Sequence, residues 1–453
     1  MIERHWLSKP SEAPESSGFF GMIGWAAFLG TSWTWVIGMV LPALLIRDMG
    51  IAGFLTFAIP NCIGAAAMGT VLRGRDARRL PNRHFGMILT FSIVTVAYHF
   101  YIAGYLLPSM LGSLSLLLFV ASALIAGVCM SFWKDRGALC FSVIAWLISM
   151  SCFVVSLCMP SAKSFAIYIQ EPLLDSSFMW FFLPASIGGF FLCPYLDATF
   201  IRARARTKGV AGKLAFKVGF LVIFAAMIVF TTAYAHQLVD GFAGGNTRLS
   251  GVWAVILLIH IPLQMGLTVA WHMREVFGAF FFGMKEKYKK LESYECKECA
   301  RLTRHFLMTG LVGILLACAL LFIGIFVLGL GLRNISFEWF EDFKIAYNIK
   351  EVYEAYEIQR FISVGEIGYR CILILYGTLF PAYVLLMMVP TLYPSKSKRS
   401  WWLFIITVLV SSVTAYLGFV HDKGWGIAAT LGVICVARFW LDYSAMRENK
   451  TAG

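Results

Sequence analysis

The chain alternates apolar stretches of about twenty residues or more with short polar segments. A helix needs about 20 apolar residues to cross the hydrocarbon core of a bilayer. Stretches of that kind lie at residues 18–46, 51–72, 84–108, 111–133, 137–159, 176–200, 212–237, 249–272, 305–331, 366–390, 401–420 and 424–442. The pattern predicts an all-α polytopic membrane protein with twelve transmembrane helices. Two of the stretches are interrupted. In the first, Gly30-Thr31-Ser32 breaks the apolar run. In the sixth, Ala185-Ser186-Ile187-Gly188-Gly189 and then Pro194 do so. Each interrupted stretch opens a block of five. Paired interruptions at corresponding positions of two halves point to the binding site of a secondary transporter.

Composition agrees with the pattern. The sequence is 59% hydrophobic and 14% charged, with a mean hydropathy of +0.75. A soluble fold could not hide so much apolar surface. Residues 1–17 lack the apolar core of a signal peptide and read as a polar tail. The net charge of +13 would suit nucleic acid, but its placement is topological. With the N-terminus inside, 29 of the 38 Lys and Arg fall in inner segments. The outer side keeps Arg47, Lys163, Arg248, Arg333, Lys344, Lys350, Arg360, Arg370 and Lys423. That asymmetry sets both termini in the cytoplasm and turns the basic face toward anionic lipid. The expected organisation is a tail (1–17), a first five-helix repeat (18–159) and an outer loop (160–175). A second five-helix repeat follows (176–390), with an inner loop at 273–304 and an outer loop at 332–365. Two peripheral helices and a cytoplasmic tail (391–453) complete it.

Eleven cysteines are present, most inside apolar stretches, so no extracytoplasmic disulfide framework is expected. Cys296 and Cys299, followed by His305, form a C-x-x-C one ligand short of a closed structural metal site. Residues 332–365 alternate acids with aromatics, and read as a lid whose Phe337, Trp339, Phe340 and Tyr347 face the bundle mouth, or equally as a static cap that shields it. No phosphate loop, zinc-protease helix or nucleophile elbow is present, so no enzyme chemistry is expected.

A helix broken at membrane depth frees carbonyls and amides that must be satisfied by protein or by a polar cavity. The half-helix ends then offer amides to anions and carbonyls to cations. The expected substrate-binding set is Gly30, Thr31, Ser32, Trp33 and Trp35 from the first stretch, and Ser186, Gly188, Gly189 and Phe190 from the sixth. Tyr98, His99 and Tyr101 join from the third, with His260 and Gln264 from the eighth. His99, His260 and Asp197 are the ionisable coupling candidates. Each has a plainer reading. The histidines would be neutral core residues bonded to carbonyls, and Asp197 would pair with Arg202 at the membrane boundary. Glu366 and Arg370, four residues apart, read as an outer-gate or interface pair.

The run Gly30-Thr31-Ser32-Trp33-Thr34-Trp35-Val36-Ile37-Gly38, continuing to Gly50 and ending at Arg73-Gly74-Arg75, is similar to the broken helix and the following helix of sodium:solute symporters. The whole layout resembles the LeuT-type five-plus-five inverted repeat of the amino acid–polyamine–organocation superfamily. The resemblance implies that spans 1–5 and 6–10 form the repeats, with the substrate between spans 1, 3, 6 and 8. It also implies a sodium site of carbonyls near Gly30 with a hydroxyl pair from the eighth span. Here Thr268 stands alone for that pair, and the additional N-terminal helix that the family usually carries is not expected from residues 1–17. Coupling by Na⁺ at Thr268 and coupling by a proton both remain open. No other cofactor is expected. The expected function is a secondary active transporter for a small neutral or zwitterionic organic solute, cation-coupled, in a bacterial inner membrane. Its partners would be that solute and the lipid bilayer, with no nucleic acid. The alternative is a non-transporting membrane sensor or assembly subunit that keeps the fold and uses 273–304 to bind a partner.

Overall fold

A computed structural model describes residues 18–159, 174–242, 249, 251–292, 364–389 and 398–451. Among these residues every regular element is helical, and nine helices are long and apolar enough to cross a membrane. The tail 1–17, the predicted ninth span (305–331), the segment 332–363 and the Cys296–Cys299 pair lie outside the described residues.

The first two apolar stretches form α1 (Phe19–Trp33) and α2 (Val36–Val71). Helix α2 is not one rod. Gly50 sits at φ 64° and ψ −157°, and the chain reverses there. The indole N–H of Trp33 donates to Asn61 at 2.6 Å. A straight helix would hold those residues about 40 Å apart at 1.5 Å per residue. Next come α3 (Gly74–Tyr105), bent at His84, and the short α4 (Leu107–Leu111). Helix α5 (Leu114–Leu157) also doubles back, its legs being Leu114–Met130 and Asp135–Leu157. Ser122 on one leg donates to the carbonyl of Pro262, while Ser149 on the other meets His260. Both legs therefore touch the same turn of a later helix, which a rod of 44 residues could not do.

The second half opens with α6 (Ser176–Leu192), a 3₁₀ turn (Cys193–Leu196) and α7 (Ala198–Arg206). It continues with α8 (Gly209–Val218), a π turn (Gly219–Phe224), α9 (Ala225–Ala233), α10 (Ala235–Phe242) and α11 (Gly251–Glu292). The last elements are α12 (Val364–Ile374), α13 (Phe380–Tyr383), α14 (Lys398–Phe419) and α15 (Gly424–Thr451). The largest side chains sit inside, with Trp25, Trp33, Trp35, Trp271 and Tyr369 fully buried. Leu117, Leu124 and Val128 on α5, and Leu409 and Val413 on α14, point outward. An apolar exterior around an aromatic interior suits a lipid solvent.

Both interruptions exist, but displaced from the glycines. Gly30, Thr31 and Ser32 are helical; the first break lies at Thr34 and Trp35, with Trp35 extended (φ −112°, ψ −174°). Ser186, Gly188 and Gly189 are helical too, and the second break lies at Cys193–Asp197. Local chemistry explains the shift. A Cβ on Gly30 would stand 2.5 Å from Ile223 Cγ2 and 3.1 Å from the Gly219 carbonyl, so this glycine permits close approach of the π turn. Gly189 does the same against the Tyr376 carbonyl. The later break falls where Pro194 withholds an amide and Asp197 restarts the helix as its N-cap.

The reversal at Gly50 uses backbone torsions essentially restricted to glycine. Gly50→Ala is expected to destabilise the protein by about 1–3 kcal/mol, read as earlier thermal unfolding of the purified chain. Gly86→Ala, at a helical site with nothing within 4 Å, is the control and should leave unfolding unchanged or slightly delayed.

Candidate functional site

The two breaks meet inside the bundle. The hydroxyl oxygens of Thr199, in the first turn of α7, and of Ser32, near the end of α1, lie 3.3 Å apart. The rings of Trp33 and Phe200 lie 4.8 Å apart between centroids. Helix α3 lines this junction with Phe91, Ser92, Thr95 and His99, which helical spacing places along one side. Phe91 is parallel to Trp33 at 6.4 Å and meets Tyr376 and Phe380 at 5.2 and 4.9 Å. His99 lies nearly parallel to Trp35 at 6.2 Å, and its Nδ1–H donates to the Thr95 carbonyl at 2.7 Å. That bond leaves Nε2 of His99 buried with no hydrogen-bond partner. Tyr376 closes the ring 4.9 Å from Trp35 and bonds Thr95 Oγ1 at 2.9 Å.

Side chains next to each break satisfy its backbone. The Gly30 carbonyl accepts from both the amide (3.1 Å) and the hydroxyl (2.8 Å) of Thr34. Thr31 and Ser32 donate back to Ala27 and Leu29. At the second break one carboxylate oxygen of Asp197 accepts from the Thr199 amide (2.7 Å), the Thr199 hydroxyl (2.6 Å) and the Phe200 amide (3.4 Å). The other oxygen, Oδ2, is buried without a hydrogen-bond partner and faces Nε2 of His272 on α11 at 3.9 Å. Nδ1 of His272 meets Ser92 Oγ at 3.2 Å.

Ionic networks flank the junction. On the side of the α2 reversal, Arg47 grips Glu366 through two bonds (2.7 and 2.9 Å) and Asp48 at 2.8 Å. Arg370 holds Asp48 (2.5 Å), Glu366 (2.7 Å) and Asp422 (2.9 Å). These contacts tie α2, α12 and the α14–α15 connection together. On the α7 side, Arg202 holds Glu275 with two bonds (2.5 and 2.9 Å). Arg206 and Arg274 each reach Asp135 at 3.2 Å, and Arg274 also meets Glu275 at 3.1 Å. This set joins α5, α7 and α11.

Of the expected site residues, Ser32, Trp33, Trp35, His99 and Asp197 converge on the junction. Gly30 and Gly189 are packing positions, and Gly188 has open space beside it. Thr31 bonds only within its own helix among the described contacts. Ser186 donates to the Thr56 carbonyl, and Phe190 meets Phe57 edge-on, so both join α6 to α2. Tyr98 and Tyr101 meet edge-on, half-buried along α3, where Gly368 of α12 packs beneath the Tyr101 hydroxyl. His260 and Gln264 form a separate cluster with Ser149, against the Phe230 ring. Thr268 donates to the Gln264 carbonyl at 3.0 Å, and the Gly30 carbonyl is already doubly bonded by Thr34. Arg202 is not the partner expected for Asp197; it pairs with Glu275 and Asp135, and Asp197 caps α7. Sequence reading missed His272, Ser92, Thr95, Thr199, Asn61 and Tyr376. A signal existed for Thr95 and Ser92, which stand one and two helical turns before His99 on its side of the helix.

The bond from Trp33 to Asn61 bridges the first break and the second leg of α2 with both residues about 1% exposed. Trp33→Phe leaves the Asn61 oxygen unpaired and should cost about 1–3 kcal/mol. Asn61→Leu should cost less on the Trp33→Phe background than alone. A double-mutant cycle in thermal or denaturant unfolding reads the coupling, and additive losses would deny it.

Compared with protein-family models, curated proteins and solved structures, the chain matches none of them.

Proposed function

We propose that the protein is a secondary active transporter that carries a small neutral or zwitterionic organic solute by alternating access. One observation carries the reading: the interruptions of α1–α2 and of α6–α7 face each other at a buried polar and aromatic junction. Broken helices meeting at membrane depth are where transporters hold substrate and coupling ion. Indole, phenol and hydroxyl groups line the junction, which suits a solute with an apolar or planar face and no net charge. The folded-back α2 and α5 each supply two legs, in keeping with twelve spans and residues 305–331 as the ninth. The five-plus-five inverted repeat of LeuT type, cytoplasmic termini and a bacterial inner membrane belong to the same proposal.

In the state described, the junction is shut on both sides. Trp33, Trp35, Phe91 and Phe200 are each at most 1% exposed, and ionic networks clamp both ends. Transport requires each clamp to release in turn. Breaking one partner of a buried ion pair costs about 3–5 kcal/mol, enough to hold a gate and small enough for ligand binding to shift. The same aromatic filling favours the second reading, a sensor or assembly subunit that keeps the fold without moving solute. Proteoliposomes loaded with labelled neutral amino acids, nucleobases or sugars, under imposed Na⁺ or pH gradients, separate the two. Accumulation that collapses with the gradient supports transport; no movement of any solute supports the sensor.

Leu41 lies 2% exposed beneath the Arg47–Glu366–Arg370 network, lining the clefts between α2, α6, α12 and α14. A cysteine placed there, in a cysteine-free background, should react slowly with a membrane-impermeant thiol reagent. Glu366→Gln should speed that reaction at least about tenfold, since 1.4 kcal/mol is a factor of ten. An unchanged rate would show that the network is no gate.

A further inference from the structure

We propose that Asp197 and His272 form a proton-binding pair at the second break, and that the proton they hold sets how tightly α7 is anchored. The pair gives the coupling ion for the transport reading above, on which that role rests; the proton site itself does not depend on it.

The chemistry starts with an asymmetric carboxylate. Oδ1 of Asp197 is saturated by three donors, while Oδ2 has none. The atom opposite is Nε2 of His272, at 3.9 Å. That gap exceeds a hydrogen bond but closes with a small rotation or one bridging water. Both groups are fully enclosed, at 0% and 1% exposure. Neutral His272 carries one ring proton. On Nδ1 it leaves Nε2 and Oδ2 as two bare acceptors; on Nε2 it points at Oδ2 while Nδ1 accepts from Ser92. In either tautomer a further proton taken up on acidification is held between these two atoms, as a carboxylic acid on Oδ2 or as an imidazolium beside the carboxylate, so the two titrate as a unit. A sodium ion would need a shell of oxygens, whereas the atom facing Oδ2 is a ring nitrogen.

The surrounding charges do not discharge this role. Arg202, five residues along from Asp197, is committed to Glu275 and Asp135. Glu275, one turn beyond His272 on α11, is held by Arg202 and Arg274. Helix α3 contributes Ser92 and His99, the latter with Nδ1 donating to the Thr95 carbonyl. The α12–α13 segment contributes Tyr376, bonded to Thr95, and the turn before Asp197 contributes Cys193. Helix α1 contributes Ser32, which reaches Asp197 only through Thr199.

Protonation has a mechanical consequence. Ionised Asp197 holds the first amides of α7 as an N-cap, and the positive end of the helix favours its charge. A proton taken from water forms an O–H bond at Oδ2 and weakens the cap. Helix α7 carries Arg202 and Arg206 into the inner clamp. Proton uptake therefore loosens the segment that closes the inner side, and release of the proton to water restores it.

Infrared difference spectroscopy of the purified full chain in lipid nanodiscs, titrated between about pH 8 and pH 5, reads the site directly. The wild type should gain one buried carboxylic C=O band on acidification, and that band should shift when aspartate is labelled with ¹³C at the side-chain carboxyl. Asp197→Asn should remove it, and His272→Gln should move its midpoint by about one pH unit. No aspartic band, a band that survives Asp197→Asn, or a midpoint unmoved by His272→Gln would overturn the proposal. The isotope-labelled wild type and His272→Gln decide the matter even if Asp197→Asn fails to fold. No solute is needed. A titrating pair in a protein that moves no solute upholds the proton site and removes the transport role alone. Sodium-driven flux with no titrating carboxyl upholds transport and removes the proton site.

Discussion

A helix can stop in hydrocarbon only where its freed amides and carbonyls find other partners, and that constraint organises this molecule. At the first break the partner comes from the sequence itself, as Thr34 folds its hydroxyl onto the Gly30 carbonyl and its amide onto those of Gly30 and Thr31. At the second, Asp197 caps the restarted helix. Each solution leaves something over. Trp35 is turned extended into the aromatic cluster, and one oxygen of Asp197 lacks a hydrogen bond. The polar chemistry of the interior is the residue of this backbone accounting.

The same constraint explains where charge is allowed. Buried guanidinium–carboxylate contacts are costly to desolvate, and a packed apolar end would often be as stable. Here they cluster at two places, one joining α2 to α12 and the α14–α15 connection, the other joining α5, α7 and α11. Between them the junction is sealed by rings rather than by charge. Rings at the centre and ion pairs at both ends are the arrangement on which the transport proposal rests. The π turns in α8–α9 and around α13 lie beside the first break, Gly219 touching α1 and Tyr376 lying against Trp35. Such turns relax the regular hydrogen-bond ladder at functional positions.

Much of the layout was legible in the sequence, because a lipid solvent makes hydropathy nearly sufficient for placing helices. The reversals at Gly50 and between Met130 and Asp135 fall at the gaps between apolar stretches. The existence of two breaks was legible from clustered small residues, but their positions were not. Glycine signals both a broken helix and close packing, and Gly30 and Gly189 serve packing. Pro194 marks the second break itself, although Pro42, Pro60, Pro81, Pro184 and Pro262 sit inside helices that continue past them. The site partners were harder still. His272, Ser92 and Tyr376 come together with Asp197 and Trp35 only through packing of α3, α11 and the turn after α12. No spacing along one chain segment encodes such a meeting. The sequence offers Asp197 both as a coupling group and as a boundary partner of Arg202, and helical geometry turns Arg202 toward Glu275 instead.

The central claim is that the two ends open in opposition about a fixed junction. Pulsed electron resonance on the reconstituted full chain tests it, with spin labels at Ile51 and Lys423 across one end and at Arg136 and Lys208 across the other. Distance distributions are read with and without Na⁺ and at high and low pH. The account predicts two populations at each end, with conditions that lengthen one distance shortening the other. A single unchanging distance at both ends under every condition would contradict it.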